Sequence, residues 1–241
     1  MEQIYTIPVN EAFEKSRDDA SCGCPFCALS RKLEANELDL ILGASMMEPD
    51  IRVKTNELGF CQTHYSLMMK RGKRLPLALM LESHLASIRD SLKVGMFPAS
   101  SGASAEKRLS ALNSSCYICE RVEYTFSRML ETAALLLQQD EAFRAKVLSQ
   151  PYFCIPHYER FLHAARERLG KRGFGEFYKA VSEIENKALD KLSGDISWFC
   201  KKFDYRYENE PWNDAKDAIE RTMLFLNGDP DVSDDAKNRL S

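Results

Sequence analysis

One arrangement of cysteine and histidine occurs twice, and it limits what this chain can fold into more than any other feature. Cys24-Pro25-Phe26-Cys27 is followed by 33 residues and then Cys61-Gln62-Thr63-His64; Cys116-Tyr117-Ile118-Cys119 is followed by 34 and then Cys154-Ile155-Pro156-His157. Six of the eight cysteines and two of the four histidines belong to the pattern. Two cysteines separated by two residues can grip one metal ion from a single turn of chain, so each half reads as a Cys3His site. The expected quartets are Cys24, Cys27, Cys61 and His64, then Cys116, Cys119, Cys154 and His157. Spacing leaves a second wiring open, in which Cys24 and Cys27 meet Cys154 and His157 across the two halves.

Each Cys-x2-Cys and each Cys-x2-His is expected to open a helix. Unpaired amides at a helix start favour negative charge and so stabilise the thiolates that a metal requires. Four protein ligands leave no open position, which marks a structural rather than a catalytic zinc site. Two zinc ions per chain are therefore expected. An iron-sulfur cluster at the same residues is the alternative, since three thiolates and an imidazole can also hold iron. Free cysteines also serve as small buried hydrophobes, but two matching quartets argue against that use. Haem attachment is disfavoured because Ala28 and Glu120, not histidine, follow the cysteine pairs. Cys24-Pro25-Phe26-Cys27 also resembles a thiol-disulfide motif, yet the polar run Arg17 to Gly23 stands where that fold needs a strand.

Positions 24 and 116 stand 92 apart and positions 61 and 154 stand 93 apart, so the duplicated unit extends beyond the ligands. Phe97 to Ser104 is small and polar, as a linker should be. The expected organisation is a first metal-binding repeat over 1–98, a linker over 99–108, a second repeat over 109–203 and a C-terminal extension over 204–241. Helical spacing dominates. Val122, Phe126, Met129, Ala133, Leu136 and Leu137 predict one helix from about Tyr117 to Gln139, and Leu77, Leu81, Leu85, Ile88 and Leu92 predict another. Phe177, Val181, Ile184, Ala188 and Phe199 predict a long helix bent or interrupted at Ser193-Gly194. Asn213-Asp214 can cap a last helix that ends near Asn227-Gly228, with Ile219, Met223 and Leu226 facing inward. The expected class is all-α: two tandem pseudo-symmetric helical bundles, each with a Cys3His knuckle.

Lys plus Arg number 33 against 36 for Asp plus Glu, a net charge of −3, which speaks against a global electrostatic grip on nucleic acid or acidic lipid. Residues 1–14 lack a basic start and a long apolar run, and no stretch reaches bilayer length, so the expected compartment is the cytoplasm. Clustered cysteines in a reducing compartment favour metal over disulfide. Lys70 to Arg74, including Arg71, and the group Arg166, Arg168, Lys171 and Arg172 form two related basic turns. Their default role is to offset the negative end of a helix, with phosphate contact as the functional rival. Cys22 reads as a surface thiol, Cys200 as core packing, and His84 and His163 as helix-face residues.

Together with Ile4-Tyr5-Thr6-Ile7-Pro8, Lys202-Phe203-Asp204-Tyr205-Arg206, Pro211-Trp212 and Lys216-Asp217-Ala218, the paired cysteine elements resemble those of a bacterial family whose function is uncharacterised. The likeness covers nearly the whole chain. It implies the ligand assignment but carries no substrate or reaction. In the last segment Asp204 and Arg206 can lock a turn while Tyr205 and Trp212 pack over the bundle; the rival is a pocket in which Arg206 meets an anion beside the Trp212 ring. Closed coordination points to interaction with a protein partner, or regulation, rather than to catalysis.

Overall fold

The structure, a computed structural model, describes residues 3–229; the end of the expected C-terminal extension, from 230 onward, lies outside the described residues. Among the described residues there are helices and no strands. In chain order the α-helices are α1 (Thr6–Asp18), α2 (Pro25–Ile41), α3 (Pro49–Leu58), α4 (Gln62–Lys70), α5 (Arg74–Ser91), α6 (Pro98–Ser114), α7 (Tyr117–Gln139), α8 (Glu141–Leu148), α9 (Ile155–Lys201) and α10 (Ala218–Asn227). Proline stands in the first turn of α2, α3, α6 and α9, where its missing amide leaves no hydrogen bond unmade. No helix among the described residues is long and apolar enough to cross a membrane.

The chain divides into two compact units. One comprises residues 1–31 and 126–241, the other residues 32–125, so both divisions fall inside helices, α2 and α7. This differs from the boundary expected at 99–108. Those residues lie within α6, started by Pro98 and pinned by Arg108, whose guanidinium donates to the carbonyls of Asn56 (2.8 Å) and Glu57 (2.7 Å) at the end of α3. A cation there satisfies carbonyls that the helix itself cannot.

The unit of residues 1–31 and 126–241 has a core rich in phenylalanine: Phe13, Phe26, Phe126, Phe143, Phe153, Phe161, Phe177 and Phe225 are all essentially buried. Their rings meet edge-on or tilted, as with Phe26 and Phe161 at 4.9 Å and Phe161 and Phe177 at 4.7 Å, the arrangement that aromatic quadrupoles favour. The unit of residues 32–125 is filled instead by aliphatic and thioether side chains, among them Leu38, Ile41, Leu42, Met68, Leu77 and Met80.

α7 runs over the span that its apolar spacing predicts. Other stripes are turned or broken differently. In α5 the buried residues are Leu77 and Met80, while Leu85 and the C-cap residue Leu92 are exposed. α9 passes through Ser193-Gly194 without interruption and breaks at Gly170, whose φ of 63° is one that L side chains resist. α10 buries Ala218 and Phe225 and exposes Ile219, Met223 and Leu226, a rotation of one residue from the expected face. Its N-cap is Asp217 rather than Asn213 or Asp214.

Candidate metal centres

Both candidate metal-binding motifs are built at helix starts. Cys24 precedes Pro25 at the head of α2, and the Cys27 amide donates back to the Cys24 carbonyl at 3.1 Å. Cys154 is the N-cap of α9, Cys61 is the N-cap of α4, and Cys116 stands immediately before α7. In each, the ligand three residues later lies one turn on and projects the same way.

The structure gathers these side chains into two groups of four. Cys24, Cys27, Cys154 and His157 form one; Cys61, His64, Cys116 and Cys119 form the other, and within each group the ligand atoms all lie within 4.8 Å of one another. This corrects the quartets expected from chain order, since each group takes one pair from each half. The exchange has a physical basis: within a motif the turn fixes the spacing, but which two turns meet is set by the helices behind them. The first group belongs wholly to the phenylalanine-rich unit and the second to residues 32–125.

A single zinc ion with Zn–S bonds of about 2.3 Å requires tetrahedral edges of roughly 3.8 Å between sulfurs, and slightly less between sulfur and nitrogen. In the first centre Cys27 Sγ lies 3.6 Å from Cys154 Sγ, and His157 Nδ1 lies 3.2, 3.4 and 3.9 Å from the sulfurs of Cys154, Cys27 and Cys24. In the second, Cys61 and Cys119 are 3.9 Å apart, and His64 Nδ1 lies 3.1, 3.2 and 3.4 Å from Cys61, Cys116 and Cys119. The residues fit one tetrahedral ion each. None of the eight cysteines is in a disulfide.

Without an ion, protons must keep these charges apart. Hydrogen bonds with Cys154 and Cys24 draw the Cys27 thiol below its usual range, while burial pushes the Cys24 thiol well above it. In the second centre burial opposes the His64 imidazolium, but hydrogen bonds to Cys116 and Glu34 outweigh it and hold the ring at about 10. Burial and the Cys116 charge push the Cys119 thiol up to about 12. Three thiolates and a neutral imidazole can coexist in either place only when a cation replaces the protons.

The surroundings differ. Around the first centre Phe126 and Phe26 pack on the His157 ring at 5.1 and 6.2 Å, and Cys24, Cys27 and Cys154 are all buried. The end of α10 covers it. Gly228 turns with φ 78°, a Cβ there would stand 3.4 Å from Cys154 Sγ, and the Asp229 amide donates to Cys27 Sγ at 3.4 Å. The Asp229 carboxylate pairs with Arg31. In the sequence Asn227-Gly228 is only a helix stop; nothing local shows that the stop rests on two sulfurs 74 and 201 residues away. In the second centre His64 Nε2 donates to Glu34 Oε1 at 3.0 Å, which fixes the ring so that Nδ1 faces the sulfurs.

A buried carboxyl flanks the first centre. Glu185 Oε1 accepts from the Phe153 amide at 2.7 Å, while Oε2 is buried with no hydrogen-bond partner. Burial raises its pKa from an ordinary 4.5 to about 7. The folded chain thus holds a proton that the unfolded chain releases, so this group makes stability fall as pH rises from 4.5 to about 7 and adds no further change above that. Glu185→Gln is expected to remove the fall: the gain of the variant over the parent, read by urea unfolding of metal-loaded protein, should grow between about pH 5 and pH 8. A difference independent of pH would mean that the carboxyl is ionised throughout.

The remaining candidates lie elsewhere. Arg71 pairs with Asp39 at 3.5 Å, and Arg172, almost fully exposed, with Glu176 at 3.3 Å; Arg168 pairs with Glu131. Arg206 is bound by Asp204 at 2.6 Å. Trp212 packs on Phe199 at 5.6 Å with Lys202 5.4 Å from its ring, but Tyr205 is exposed rather than packed over the bundle. The residue that organises this segment is Lys202, whose ammonium donates to the carbonyls of Tyr207 (2.6 Å), Glu208 (2.8 Å) and Glu210 (2.6 Å), a role that no sequence signal marks. Cys22 lies 3.5 Å from Asp19 and joins neither centre, and Cys200 is exposed rather than packed in a core. His84 Nδ1 lies 3.2 Å from the Asn56 carbonyl, and His163 lies beside Arg166.

A family model described as a family of unknown function (DUF6062) matches residues 1–233. No curated protein and no solved structure matches the chain.

Proposed function

The chain therefore belongs to a family of unknown function, and from that premise we propose that it is a zinc-stapled helical scaffold for a protein partner, with an interaction or regulatory role. Two zinc ions per chain each fasten a pair of helix starts, α2 to α9 and α4 to α7. The observation that carries this reading is the pair of Cys3His groups, whose ligand atoms lie within 4.8 Å of one another, close enough for one ion bound by four protein ligands. Such a shell leaves no position for substrate or activated water, so catalysis is not part of it. Eight cysteines without a disulfide suit a reducing compartment such as the cytoplasm.

Iron at the same residues is the second reading. A cluster divides its four protein ligands among two or more irons and so holds those on different irons wider apart than one ion does, which ligand atoms confined within 4.8 Å do not favour. The test is elemental analysis and a visible spectrum of protein purified anaerobically without chelator. Two equivalents of zinc in colourless protein are expected. Trace metal only, or iron with visible absorbance, would overturn the reading.

A further inference from the structure

The two centres share a ligand set but not an environment. In the first, the sulfurs of Cys24, Cys27 and Cys154 are buried among phenylalanines and roofed by Gly228-Asp229. In the second, Cys116 is buried, but Cys61 is half-buried and Cys119 is exposed. These sulfurs face a cavity of about 680 Å³, whose wall also carries Glu120 and Glu123 and no basic side chain. A cavity with this wall attracts cations and admits a chelating solute to the ligands themselves.

The second centre also has protein hydrogen bonds across its frame that do not pass through the ligand atoms. Its two ligand-bearing turns are joined by protein hydrogen bonds: Ser115 Oγ donates to the Leu58 carbonyl at 2.8 Å, and the Tyr117 amide donates to the Gly59 carbonyl at 3.0 Å. Glu34 holds the His64 ring in place. Among the described residues no such bond joins the two turns of the first centre, which meet through the ligand atoms and through the packing of Phe26 on Phe153 and His157.

We propose that the second centre is an exchangeable divalent-cation site, loaded and emptied through the Cys119 cavity while the fold stays intact, and that the first centre is permanently closed. This rests on the zinc reading above and adds regulation to it: occupancy of the second centre reports the available metal. Exchange proceeds by a solute donor adding to the ion as Cys119 leaves it. In the first centre no donor reaches the ion before the roof and the phenylalanine packing open.

The experiment follows metal release from the full-length, zinc-loaded chain to 4-(2-pyridylazo)resorcinol, with far-ultraviolet circular dichroism recorded in parallel. One equivalent is expected to leave about tenfold faster than the other or more, a barrier difference of at least roughly 1.4 kcal/mol, with helicity unchanged after the first. Cys119→Ser changes an exposed side chain and leaves the core packing alone; the variant should retain the slow equivalent and lack the fast one. Glu120→Gln/Glu123→Gln should keep two equivalents but slow the reloading of added zinc at low salt. Release of both equivalents in one phase, survival of the fast equivalent in Cys119→Ser, loss of helicity with the first ion, or unchanged reloading in the double variant would overturn the proposal. A parent chain that never holds two equivalents overturns the zinc reading instead, and this one falls with it.

Discussion

Cys24→Ser and Cys154→Ser should each cost the same metal equivalent, and the double variant should be scarcely less stable than either single one. The two side chains belong to one tetrahedral group, so once either is gone the other has no centre left to hold. Structural zinc contributes about 10–16 kcal/mol of apparent binding free energy in small folded modules, so losing the first centre should cost several kcal/mol, with a coupling energy between the two substitutions of similar size. Cys24→Ser combined with Cys61→Ser should behave in the opposite way. Those residues lie in different groups, so two equivalents are lost and the free-energy costs add. Metal content and urea unfolding of the three single and two double variants decide it. Coupling between Cys24 and Cys61, with none between Cys24 and Cys154, would restore the quartets read from chain order.

Phe26→Ala should be the most damaging substitution outside the ligands, at about 3–5 kcal/mol. Phe26 is fully buried and meets Phe13 at 5.2 Å, Phe153 at 5.6 Å, Phe161 at 4.9 Å and Phe126 at 6.2 Å. The ring also lies 6.2 Å from His157, so truncation opens a cavity against the first centre and should weaken its hold on metal as well as the core. Leu85→Ala is the matching control. The helical stripe of α5 places Leu85 with the core, but it is exposed, and its loss should stay within about 0.5 kcal/mol. Chemical unfolding of both variants measures the contrast; equal costs would mean that Phe26 lies outside the stabilising core.

The difference between Phe26 and Leu85 shows where local reading ends. Phe26 sits between two ligands of one turn, so its burial follows from the motif. Leu85 lies on a helix with more apolar positions than neighbours to cover them, and periodicity cannot choose among them. The same holds for α10, where Ile219, Met223 and Leu226 make the larger stripe, yet the small Ala218 and the ring of Phe225 face inward. Its neighbour decides which face is used. Residues 99–108 misled for another reason: their Ser and Gly are poor helix formers, but Pro98 at the first turn and Arg108 on the carbonyls of α3 supply what propensity lacks.

By itself the sequence determined the eight candidate ligands, the helices they open and the strand-free class, because these follow from contacts within a turn or two of chain. The tertiary structure alone decided that Cys24 and Cys27 face Cys154 and His157, that Gly228 closes over their sulfurs, and that Cys119 faces a cavity. Those outcomes depend on which helix starts are brought together across 51 intervening residues in one centre, between His64 and Cys116, and 126 in the other, between Cys27 and Cys154. That choice is made by the packing of whole helix faces, not by the spacing of the ligands they carry.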